Sequence, residues 1–164
     1  MRFFRRLAAT IHRKRTHTMI RDSIKAAQVS AMKAGDKARL AAVRLILAKL
    51  KDKDIELRTA ASIPDDDVIV VDVLQKMAKQ RRESITLYEQ GGRQELAEVE
   101  KAELVVIEEF LPAQMSDDDV KAAIAAIIAE TGAAGMKDMG KVVAALKAKH
   151  GSQLDMGKAS GLVK

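Results

Sequence analysis

The run DDDVIVVDVLQKMAKQRRESITLYEQGG, from Asp65 to Gly92, decides the fold. Taken alone, the apolar residues Val68 to Val71 read as a strand. The register downstream of them overrides that reading, because Val70, Leu74, Met77, Ile85 and Tyr88 recur at helical spacing on one side. Helix-starting chemistry precedes them. Pro64 can occupy a first helical turn, where its missing N–H costs nothing. Asp65, Asp66 and Asp67 place negative charge at the positive end of the helix macrodipole. Gly91-Gly92 stops the helix.

The same 3.6-residue period extends in both directions. Upstream, one stripe runs through Ile20, Ile24, Ala27 and Ala31 and ends at Gly35. Another runs through Leu40, Val43, Leu47 and Leu50 to about Arg58. Downstream, a fourth helix is predicted from about Arg93 to Phe110 through Leu96, Val99, Val106 and Ile107, ended by Pro112. Ser116 with Asp119 three positions on forms a variant capping box. It opens a helix through Val120, Ile124, Ile127 and Ile128, broken by Gly132 and Gly135. A further helix spans about Lys137 to Lys149, and a short last one Asp155 to Val163. No strand is predicted. The expected fold class is all-α, with about four longer helices in residues 19–111 and three shorter ones in a smaller domain, residues 112–164.

Charge divides the chain differently. The formal net charge is +6, and residues 1–18 hold six basic residues and no acid. The other 146 residues therefore balance, so the high pI belongs to the leader and does not make the body a nucleic-acid binder. There is no cysteine, which removes disulfides, thiolate nucleophiles and Cys-based metal sites. No apolar run approaches the roughly 18 residues of a membrane span. Aromatics outside the leader are Tyr88 and Phe110, too few to stack single-stranded nucleic acid. RNA, if bound, is then bound through shape and phosphates.

Gly135, Gly140 and Lys141 match the start of a phosphate-binding loop, but Val142 stands where Ser or Thr must hold magnesium, and a helix precedes instead of a strand. His150 stands alone in the body, so a His-based zinc site lacks ligands. The acidic triplets Asp65–Asp67 and Asp117–Asp119 sit at helix starts, where acids are expected without a metal. Neither catalytic residues nor a metal or cofactor is expected.

The densest polar cluster is Lys76, Lys79, Gln80, Arg81, Arg82, Glu83, Ser84. Arg81 lies on or beside the apolar stripe and reads as a structural, buried charge. Its expected partner is an acid of the fourth helix, such as Glu103, or Glu89. The competing reading is a phosphate contact made with Lys79 and Arg82. Lys76, Lys79 and Arg82 read either as a solvated face or as phosphate contacts. Lys49, Lys51, Lys53 and Arg58 form a second basic strip. Asp52, Asp54 and Glu56 interleave with it, which argues for helix ion pairs over a phosphate track.

These segments resemble a known family. "VRLILAKLKDKDIE" at 43–56, "VLQKMAKQRRES" at 73–84, "GGRQELAEVEKAEL" at 91–104, "EEFLPAQMSDDDV" at 108–120 and "GMKDMGKVVAALK" at 135–147 are similar in combination to the GatB/YqeY family, specifically its free-standing YqeY-like members. The resemblance covers about residues 19–164. It implies a helical N-terminal domain and a C-terminal domain similar to the GatB tail, which helps hold the tRNA body in the glutamine-dependent tRNA amidotransferase. It carries an assigned activity, carbon–nitrogen ligation with glutamine as amide donor. The residues supply neither the nucleophile that releases ammonia from glutamine nor an ATP site. The expected function is therefore an accessory that binds tRNA or an amidotransferase- or translation-linked partner. The alternative is a protein adaptor that binds no RNA. The candidate phosphate contacts in the tail-like domain are Lys137, Lys141, Lys147 and Lys149. Where family members show Ala-Asp-Gly, this chain has Leu154-Asp155-Met156-Gly157.

Family members commonly begin near Met19. Residues 1–18 then read as a nonnative leader from an upstream start, as a basic RNA- or membrane-touching arm, or as an organelle-targeting leader. They are expected to be disordered. The expected location is cytoplasmic, or the mitochondrial matrix if the leader targets an organelle.

Overall fold

A computed structural model describes residues 19–163. The basic leader, 1–18, lies outside the described residues. Seven α-helices follow in order: α1 (Ile20–Ala34), α2 (Lys37–Glu56), α3 (Asp66–Gln90), α4 (Gln94–Phe110), α5 (Asp117–Thr131), α6 (Met139–His150) and α7 (Met156–Leu162). Short 3-10 turns occupy Leu57–Thr59 and Met136–Asp138, and no strand occurs among the described residues. The fold class is all-α.

α1 and α2 form one hairpin and α3 and α4 a second, with α2 packed against both helices of the second hairpin. The α1–α2 turn depends on Gly35, whose φ of 69° is left-handed and strained for any side chain. Asp36 then caps α2, its side chain accepting the Arg39 N–H at 3.0 Å. Val70 and Leu74 from α3 meet Ile24 from α1, Val43, Ile46 and Leu50 from α2, and Ile107 from α4 in one apolar cluster. α3 is therefore helical through its β-branched start because burial on that face outweighs local propensity. Pro64 sits one residue before the N-cap Asp65, not in the first turn.

Beyond Ala78 the α3–α4 hairpin runs on as a two-helix arm. Its first partner in α4 is Ala97, fully buried, whose small side chain lets the helices approach. Leu96 and Val99, expected in the core, are exposed. The reason is that this half of α4 has only α3 to pack against, so a second apolar face finds no cover. Polar ties hold the arm together. Arg81 bonds Glu100 at 3.0 Å and lies 2.9 Å from Glu103, while Lys101 reaches Glu89 at 2.8 Å. Arg81 is partly buried, its side chain 21 % exposed.

The start of α1 is fastened by acids at the start of α3. Asp67 accepts the Ile20 N–H at 3.0 Å. Arg21 forms two-pronged contacts with both Asp66 and Asp54, at 2.9–3.0 Å. Its guanidinium is held charged well above its ordinary value, first by the Asp66 bonds and then by those to Asp54.

Arg39 makes a similar fork to Glu109, at 3.0 and 2.7 Å, joining α2 to the end of α4. Those bonds raise Arg39 and lower the Glu109 carboxyl below its ordinary 4.5. A lowered carboxylate contributes stability that is present above its ordinary value and is lost as pH falls through the lowered one. We therefore expect Glu109→Gln to reduce the urea midpoint at pH 7 and leave it unchanged near pH 2. A variant equally destabilised at both pH values would show that the charge plays no part.

A second apolar cluster contains Val120, Ile124, Ile127, Val142, Leu146, Leu154 and Ala159, from α5, α6, the following loop and α7. It shares no residue with the first cluster. Ser116 opens α5 with a full capping box: its hydroxyl bonds the Asp119 carboxylate at 2.6 Å and accepts the Asp119 N–H at 3.2 Å. Ser116→Ala is expected to cost about 1 kcal/mol. Denaturation followed by a probe in α5 would check it; a loss below a few tenths would mean that the cap is idle.

Candidate functional site

Three of the seven candidate cations come together. Lys76, Lys79 and Arg82 follow one another along the outer side of α3, opposite the buried residues Val70, Leu74 and Met77. They line a cleft of about 470 Å³ between α3 and the chain from Leu111 onward. Leu154, Asp155, Met156 and Gly157 form part of its far wall and face these cations.

Bonds from Gln75 join the two walls at the cleft floor, and two further bonds brace the far wall within itself. The Gln75 side-chain amide donates to the Gly151 carbonyl at 3.0 Å and the Leu154 carbonyl at 2.9 Å. The Met115 N–H donates to the Gln153 carbonyl at 3.0 Å, and Gln114 donates to the Ser152 carbonyl at 3.2 Å. Glycine is required at 151, because a Cβ there would collide with the Lys147 carbonyl oxygen. Gln75 and Gln114 had no local signature in the sequence: a glutamine in a helical run, as at 75, or in a linker, as at 114, is read as surface until its distant partners are known.

The cations of the cleft are unequal. Lys76 is paired with Asp72 at 2.9 Å on its own helix. Arg82 bonds Glu108 at 2.7 Å and approaches Asp155 at 3.9 Å. Lys79 has no ion pair among the described residues. All three are exposed, so their pairs are worth little and exchange readily for another anion. Glu103 supplies the reverse case. Its Oε2 is buried without a hydrogen bond and is balanced by the Arg81 guanidinium, so Arg81 is committed to the arm and does not face the cleft.

The four tail candidates lie elsewhere. Lys137 precedes α6, and Lys141, Lys147 and Lys149 lie along it; none lines the cleft. They do not share one face, since Lys147 and Lys149, two positions apart, fall on opposite sides of the helix. Lys141 is 3.3 Å from Asp138, and Lys149 is bonded to Glu130. Lys137 and Lys147 have no ion pair among the described residues. In the glycine-bounded turn before α6, the Asp138 carboxylate accepts the Ala134 N–H at 3.3 Å. That bond, with Lys141, lowers the Asp138 carboxyl and places a negative charge where a phosphate-binding loop presents bare N–H groups.

Among the described residues, no group of three or more His, Asp or Glu side chains is placed to hold a metal ion. No helix among them is long and apolar enough to cross a membrane.

Known proteins resemble this chain in sequence. The chain is 31% identical over 113 residues to a protein of Eremothecium gossypii named altered inheritance of mitochondria protein 41, mitochondrial. That match covers 69% of this chain and 60% of the relative, so the chain spans less than two thirds of that protein's length. A family model described as Yqey-like protein matches residues 21–164, which takes in both apolar clusters and the cleft between them, and the chain belongs to that family.

Proposed function

We propose that this protein is a non-catalytic accessory that binds the body of a tRNA, in the manner of the recognition part of a tRNA amidotransferase without its reaction centre. The observation that carries the reading is the way charge is distributed. The partly buried arginines, Arg21, Arg39 and Arg81, are consumed by carboxylates that hold helices together. Cations left over stand on outer surfaces, without aromatic platforms beside them, which suits phosphate contacts to a folded RNA more than base stacking. A glutaminase or ligase reading needs a nucleophile with a base in reach, and the cleft offers lysines, glutamines and carboxylates in ion pairs instead.

The test is a filter-binding titration of the full chain, and of residues 19–164, against a tRNA transcript and a heparin competitor. Weak, salt-sensitive binding that prefers tRNA supports the reading. No binding at low salt, or equal binding to any polyanion, overturns it in favour of the protein adaptor, which a nuclease-resistant pull-down would support. Glutaminase turnover by the purified chain would restore the amidotransferase activity that the family assignment carries. None is expected.

For location we propose the cytoplasm for a chain read from Met19. The mitochondrial matrix is proposed for a chain that uses its Arg-rich residues 1–18 as a leader, a reading supported by the relative's name. A reporter carrying residues 1–18 separates the two by where it accumulates.

A further inference from the structure

The exposed face of α2 and of the turn after it carries Lys37, Arg44, Lys51 and Arg58, one cation every seventh residue. Between them on the same face stand Ala41, Ala48 and Ile55, also exposed. At 1.5 Å per residue the cations are about 10 Å apart and span about 30 Å. None of the four has an ion pair among the described residues. The acids that interleave with them in sequence are spent elsewhere: Asp54 on Arg21 and Glu56 on Lys53. Three acids border the face. Asp54 stands nearest, three residues after Lys51 and four before Arg58, with its carboxylate held by Arg21; Asp36 is engaged in capping α2, and Asp52 flanks Lys51.

We propose that this face is a phosphate track for the backbone of a folded, double-helical stretch of RNA. It deepens the proposed function and rests on it, placing the principal contact on α2 and not on the cleft or on α6. Three properties support an RNA backbone. The spacing is about one Debye length at 0.1 M salt, so each cation acts as a separate phosphate contact instead of merging into one diffuse charge. The intervening alanines are short and let the helix approach a ridge of phosphates closely. No aromatic side chain lies on the face, which excludes stacking on single strands as the mode. A membrane-surface helix would instead bury a broad face of large apolar residues, and Ile55 is the one bulky member here.

The experiment compares the full chain with the variant K37Q/R44Q/K51Q/R58Q in binding to a tRNA transcript across a salt series. Glutamine keeps helix propensity at these exposed sites, and circular dichroism checks that the variant is folded. A second variant, K79Q/K137Q/K147Q, removes unpaired cations from the cleft and from the α6 region. Loss of at least about tenfold in affinity at about 0.1 M salt is expected for the first variant, with the salt slope shallower by about 3. The second variant should lose less than half as much slope. If the wild type binds tRNA and the first variant keeps its slope, the track is wrong while the proposed function stands. If the wild type binds no tRNA, both fall. Equal stripe-dependent binding to phosphatidylserine vesicles would overturn the assignment to RNA.

Discussion

Leu74→Ala is expected to destabilise the protein by about 4 kcal/mol, the largest effect of any single change considered. Leu74 is fully buried at the centre of the first cluster, where α3 meets the other three helices of its group. Truncation removes the transfer energy of the lost carbons and leaves a cavity that four helices cannot easily close. The cations proposed to contact RNA lie on the opposite side of α3 and on the outer face of α2, so molecules that remain folded should bind as the wild type does. Urea unfolding gives the stability, and titration below the unfolding midpoint gives the binding. A loss under 1 kcal/mol would mean that α3 is not packed as described.

Leu146→Ala is expected to cost about 3 kcal/mol, with the loss confined to α5, α6 and α7. Leu146 is fully buried in the second cluster, which shares no core residue with the first and is tied to α3 by the Gln75 bonds to the Gly151 and Leu154 carbonyls. We propose on this basis that residues 19–111 and 112–164 are separate folding units. Amide exchange should then accelerate in α5–α7 of the variant while α1–α4 stays protected. Equal acceleration in both would show one cooperative unit.

Local chemistry was legible in the sequence. The capping box at Ser116 and Asp119, the left-handed glycines at 35 and 132, and the helical register of Val70, Leu74 and Met77 are all decided within a few residues. Long-range geometry was not. Leu96 and Val99 have the spacing of a core stripe, yet whether a second face is covered depends on how far the neighbouring helices extend. Arg21 finds its carboxylates 33 and 45 residues away, and Gln75 its carbonyls 76 and 79 away. The α2 face was obscured for the same reason. In sequence, Asp54 and Glu56 stand as neutralising neighbours of the strip from Lys49 to Arg58, and only the fold sends Asp54 to α1. The seven-residue recurrence of Lys37, Arg44, Lys51 and Arg58 is present in the sequence, but Asp54, three residues after Lys51 and four before Arg58, masks it there until the fold pairs Asp54 with Arg21.

Crosslinking in cells tests most directly whether this protein is an RNA-binding accessory. The chain is expressed with and without residues 1–18, irradiated, and its bound RNA and protein identified. tRNA crosslinked to residues 19–164 is expected in both forms, enriched on peptides from α2. Crosslinks to protein alone, surviving nuclease, or RNA recovered solely through residues 1–18, would contradict it.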